Sequence, residues 1–191
     1  MNTPTSGASS ASVPSKRPRT VLAGPYGHPF HPILVTVPIG AWVISLIFDI
    51  AAKVTDGDPA RWADTSFWLL VIGIIGAVLA ALFGFMDLLT IPSRTRAAGT
   101  AIAHMSLNTV ALVIFAIDAL IRSQQGHSAP GDDVSGLALG LTILGLLVVG
   151  SSGWLGGKLS YEYGVRVARE GDQAEAYAIP NATSGPTRPQ R

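Results

Sequence analysis

No cysteine occurs in the 191 residues. That excludes disulfides, thiolate metal sites, iron–sulfur ligation and thiol nucleophiles together, and any metal or haem would have to be held by His, carboxylate or Met. Charge is scarce as well: 13% of residues are Asp, Glu, Lys or Arg, 48% are hydrophobic, and the mean hydropathy is +0.41. A chain this apolar is no ordinary soluble domain. It has no basic patch interleaved with aromatics, so nucleic acid is not expected as a partner. The alternation of apolar and polar positions that membrane barrels need is missing too, so the apolar segments read as helices.

What is present is apolar length. A hydrocarbon core of about 30 Å takes about 20 helical residues, and apolar stretches of that size recur four times, at about 33–52, 67–89, 100–121 and 136–155. The expectation is an all-α fold, an integral membrane four-helix bundle over 25–170 with the lipid bilayer as its solvent. Tails at 1–24 and 171–191, containing Ser, Thr and Pro, read as disordered. The first lacks the apolar core of a signal peptide and is expected to stay on the chain. Pro38 removes a donor inside the first span and should kink it. Small residues at four-residue spacing (Gly76, Ala80 and Gly84; Gly136 and Gly140; Gly153 and Gly157) offer faces for close helix packing, with homo-oligomerisation as the alternative use. Trp42, Trp62, Trp68 and Trp154 read as interfacial anchors.

Orientation follows from Lys and Arg. Lys16, Arg17, Arg19, Arg94, Arg96, Lys158, Arg166, Arg169, Arg188 and Arg191 fall on one side and only Lys53, Arg61 and Arg122 on the other, which puts both termini in the cytoplasm.

This topology brings His28 and His31 at the start of the first span, Asp87 near the end of the second, and His104 near the start of the third to one level at the inner face. Asn108 lies one turn past His104 on the same helix face. Ionisable groups at membrane depth are a functional-site hypothesis by default. A second polar level, Asp49 and Asp118, falls towards the outer face, with Asp118 about 21 Å beyond His104 along its helix; the expectation is that both aspartates see interfacial water or cap loops. His127 falls in a polar loop and reads as solvated. The serines before Trp154 lack the strand-to-helix elbow of a nucleophile, and no hydrolase is read here.

The segments GHPFHPILVTVPIG, GFMDLLTIPSRTRA, AHMSLN and GWLGGKLSYEYGVRV, in this order, resemble the bacterial membrane family catalogued as domain of unknown function 2231, over roughly residues 24–167. The resemblance implies a bacterial inner membrane location and signature positions at His28, His31, Pro32, Pro38, Gly40, Asp49, Gly84, Asp87, His104, Asn108, Gly153, Gly156, Gly157 and Tyr161. It also implies that relatives often carry His where this chain has Tyr163, and that some are fused to Rieske iron–sulfur modules, which suggests redox company.

Three functions stay open. The first is a structural or scaffolding polar network of His28, His31, Asp87, His104 and Asn108 joining helix ends. The second is a membrane redox subunit exchanging electrons with a redox partner, either through haem b on His28, His31 or His104 or through a divalent metal on His31, Asp87 and His104. Two stacked haems are not expected, because the outer half has no helix histidine. The third is a small proton-coupled transporter component using a stripe that includes Asp49 and Asp118, for which no inverted repeat is visible.

Overall fold

The computed structural model describes residues 30–55, 58–125 and 134–167, with 171, 176 and 177. Both tails, His28 and His127 lie outside the described residues, which contain helices and no strand. The helices are α1 (His31–Leu34), α2 (Thr36–Val54), α3 (Pro59–Leu88), α4 (Arg96–Gln125) and α5 (Gly136–Tyr161). Four helices are long and apolar enough to cross a membrane, α1 and α2 acting as one span. Each extends beyond the apolar stretch that announced it, because its end turns carry polar residues.

Local chemistry sets the boundaries. Pro38 cannot donate to the carbonyl of Leu34 and its ring crowds that oxygen. The helix is accordingly broken at Val35, one turn before the proline, and resumes with Ile39 N–H donating to Val35 at 3.3 Å. Asp58 caps α3 by accepting from Arg61 N–H, with Pro59 in the first turn. Ser135 caps α5 in the same way through Ala138 N–H, and Thr95 Oγ1 accepts from Ala98 N–H at 3.1 Å where α4 begins.

The bundle is inverted relative to a soluble one. Its buried set includes Ala41, Ser45, Asp49, Ser66, Ala80, Asp118, Arg122, Thr142 and Ser152, while Ile47, Ile75, Leu82, Leu120 and Leu147 are more than half exposed. Lipid tails are as apolar as Leu, so large aliphatics gain little by turning inwards and association relies on small residues and polar contacts.

α2 packs chiefly on α3 and α4 on α5; α3 against α4 and α2 against α5 close the bundle. The two hairpins are repeats of one another. His31, Trp42, Ser45 and Asp49 stand 73 positions before His104, Phe115, Asp118 and Arg122, and in the returning helices Leu70, Gly73, Ala80 and Gly84 stand 72 before Thr142, Gly145, Ser152 and Gly156. The contacts repeat as well. Trp42 fills the space over Gly73 as Phe115 does over Gly145, and His31 lies on Gly84 as His104 lies on Gly156. Both hairpins leave from and return to the same end, which relates them by an axis along the membrane normal, unlike the inverted repeats of many carriers.

Candidate functional site

The paired histidines occupy one end of this axis. His31 Nδ1 is 2.9 Å from the carbonyl of Ala80 and His104 Nδ1 is 2.8 Å from the carbonyl of Ser152. Asn108 Nδ2 is 3.0 Å from His104 Nε2. An amide NH2 can only donate, so Nε2 is the acceptor and Nδ1 carries the proton that it gives to Ser152. Ser152 Oγ, 3.0 Å from the same Nδ1, donates to the carbonyl of His104 and ties α5 back to α4. The carbonyl beside His31 assigns it the same tautomer. The two ring centroids are 6.3 Å apart with planes at 89°. Glycine makes this possible: a Cβ on Gly84 would lie 2.9 Å from His31 Cε1, and one on Gly156 3.1 Å from His104 Cε1.

Next along the axis is an aromatic layer. Trp42 and Phe115 stack with centroids 3.9 Å apart and planes 16° from parallel, and the indole Nε1 donates to the carbonyl of Leu70 at 3.3 Å. Trp42 is thus a core residue and not the interfacial anchor its type suggests. Trp68 and Trp154 remain exposed, and Trp62 stacks on Phe48.

Beyond the aromatic layer, Arg122 is buried among two carboxylates. Its Nη1 and Nη2 reach Asp49 Oδ1 and Oδ2 at 2.7 and 2.8 Å, while Nε donates to Asp118 Oδ1 at 2.9 Å. Thr142 Oγ1 accepts from Nη2 at 2.9 Å and lies 2.8 Å from Asp118 Oδ2. Ser66 Oγ completes the set, 2.5 Å from Asp49 Oδ1 and 3.2 Å from Arg122 Nη1. The guanidinium fork suits bidentate pairing, and here every span contributes: Asp49 from α2, Ser66 from α3, Asp118 and Arg122 from α4, Thr142 from α5. Asp49 and Asp118 are 0% exposed, so the expectation that they face interfacial water or cap loops is overturned. Arg122, read as an outer-loop charge, belongs to the core.

At the histidine end, Asp87 pairs with Arg166: Nε donates to Oδ1 at 2.8 Å and Nη2 lies 2.5 Å from the same oxygen. The imidazole N–H groups are oriented by backbone carbonyls, and Asp87 is engaged elsewhere. Among the described residues no three or more His, Asp or Glu side chains are grouped so as to hold a metal ion.

Of the candidates read from sequence, the structure therefore brings His31, His104 and Asn108 together, places Asp87 beside them on its own ion pair, and joins Asp49 to Asp118 in a separate network. Sequence reasoning missed Arg122, Arg166, Ser66, Thr142 and Ser152, and missed the role of Trp42. One signal could have found most of them: the constant spacing between hairpins, which aligns His with His, Trp with Phe and Asp49 with Arg122.

The profile of a predicted membrane protein family, DUF2231, matches residues 27–169. The chain belongs to this family. No curated protein and no solved structure matches the chain. The family is described as a membrane protein, in keeping with four spans and a polar interior, and its description assigns no activity to the histidines or to Arg122.

Proposed function

We propose that this DUF2231 protein is a membrane electron-transfer subunit in which His31 and His104 hold the iron of a b-type haem. The observation that carries the reading is the pair itself: two imidazoles from different hairpins, each fixed through Nδ1–H to a helix carbonyl, with centroids 6.3 Å apart. Ligating histidines commonly donate their second ring N–H to a backbone carbonyl or carboxylate, which fixes the tautomer and leaves Nε2 as the metal-binding atom; on His104 that lone pair accepts from Asn108 Nδ2, so ligation there requires the amide to turn away.

Among the described residues the donor set favours haem over a bare ion. A structural or catalytic zinc or non-haem iron centre takes three or four protein ligands, whereas a porphyrin supplies its own nitrogens and would ask the protein for one or two side chains. When bound, haem would provide one-electron chemistry. The chain's own residues orient the two imidazoles that would hold it, through the carbonyls of Ala80 and Ser152 and the clearance at Gly84 and Gly156. A redox partner in or at the bacterial inner membrane would supply or accept the electron.

A scaffold is the second reading, and the Arg122 network favours it, since that network links all four spans without involving the histidines. A proton path has less support, because the Trp42–Phe115 stack separates the two polar levels.

The test is the absorption spectrum, with metal analysis, of the full chain purified in detergent. A Soret band that shifts on reduction and is lost in His31→Ala and in His104→Ala supports the haem reading. A colourless protein that takes up no added haem overturns it and leaves the scaffold.

A further inference from the structure

Arg166 is a buried cation with part of its hydrogen-bonding capacity unused. Its side chain is 5% exposed. Nε is satisfied by Asp87, but Nη2, although close to the same oxygen, is out of line for a hydrogen bond, and among the described residues Nη1 has no partner. The contrast is with Arg122, whose nitrogens all find acceptors. A guanidinium withdrawn from water with unmatched N–H groups is unfavourable. The backbone beneath it is unusual too: Arg166 has φ 59°, shortly after Gly164 at 65°. Left-handed conformations are uncommon for residues with a side chain and concentrate where a fold constrains a site.

The turn after α5 thus presses Arg166 onto Asp87 and leaves the two terminal nitrogens of the fork unmatched, although both are shielded from water. Two N–H groups in a plane match the oxygens of a carboxylate or phosphate. The location fits such a ligand. Asp87 is three residues beyond Gly84, on which His31 rests, so the pair is about 4.5 Å further along α3 towards the membrane boundary.

We propose that Arg166, braced by Asp87, is an oxyanion-binding site at the histidine end of the bundle. The oxyanion has two sources. One is a carboxylate arm of a haem held by His31 and His104, which rests on the reading above; the other is the phosphate of an anionic lipid, which does not.

The experiment compares the wild-type full chain with Asp87→Asn/Arg166→Gln, which neutralises the pair as a unit and strands no buried charge. In nanodiscs of phosphatidylcholine with added phosphatidylglycerol, native mass spectrometry reads which lipid the protein retains. In parallel, the protein is titrated with haem and with haem dimethyl ester, whose carboxylates are blocked. A preference for phosphatidylglycerol, or for haem over its ester, of roughly tenfold in the wild type and absent in the double variant supports the site and names the source. Arg166→Lys keeps the charge without the fork and should lose most of the same preference. No preference in either arm, or one retained in both variants, overturns the proposal. If neither porphyrin binds but the lipid preference holds, the haem reading fails and the oxyanion site stands; equal binding of both porphyrins without a lipid preference gives the reverse.

Discussion

His31 and His104 hold the same relation to the helix that follows each of them. In both cases Nδ1 reaches a carbonyl 48 or 49 residues ahead and the ring covers a glycine one turn further on. Two copies of one hairpin thus deliver two imidazoles, held alike by a helix carbonyl at Nδ1, to a shared axis, and His104 Nε2 in addition accepts from Asn108. The equivalence breaks at the other end, where the position matching Asp49 is Arg122, so what would be two facing carboxylates is an ion pair.

The glycines under the rings should be intolerant of a methyl group. In Gly84→Ala the new Cβ falls 2.9 Å from a ring that is anchored to Ala80 and cannot retreat freely, so destabilisation of about 1–3 kcal/mol is expected. Gly140 has nothing within 4 Å of a Cβ. Gly140→Ala should therefore be neutral, or gain about 0.5–1 kcal/mol from helix propensity. Unfolding titrations in detergent micelles compare the two; equal effects would refute the packing assigned to Gly84.

Arg122→Met strands the buried carboxylates of Asp49 and Asp118 and should cost about 3–5 kcal/mol. Adding Asp49→Asn and Asp118→Asn removes the stranded charges together and should recover most of that loss. A triple variant no more stable than the single one would mean that the network contributes through attraction and not through avoided isolation of charge.

Trp42→Ala opens a cavity opposite Phe115 and should lose about 3–5 kcal/mol. It also removes half of the layer separating the two polar levels. Reconstituted in vesicles holding a pH gradient, wild-type protein should add no proton leak and Trp42→Ala should add one. A wild type that dissipates the gradient would reinstate the transporter reading.

Because the chain has no cysteine, a single introduced thiol reports topology without background. Ser93→Cys, between α3 and α4, should react with a membrane-impermeant maleimide only from the side where the termini lie, expected to be the cytoplasm, and Thr55→Cys only from the other. Labelling of both from one side would break the four-span topology.

Much of this was legible in the chain itself. The number of spans, their helical nature and the level shared by His31 and His104 follow from apolar run length, helix rise and the alternation of crossings, which are local or additive properties. The break before Pro38 follows from the missing N–H, although the interruption falls at Val35 because the crowded carbonyl belongs to Leu34. Trp42 illustrates the limit: an indole in a membrane helix looks like an anchor until a glycine on the next helix gives it room inside.

What tertiary structure alone decided is which groups meet. An aspartate near a helix end is equally compatible with water, a loop cap or a buried guanidinium, and only the rotation of each helix about its own axis and the crossing of the two hairpins select among them. That rotation put Asp49 and Asp118 on Arg122, turned Asp87 to Arg166 and left backbone carbonyls to orient the imidazoles. In a bundle surrounded by lipid, apolar burial does not fix the rotation, so the polar contacts and the small residues that admit them have to do so.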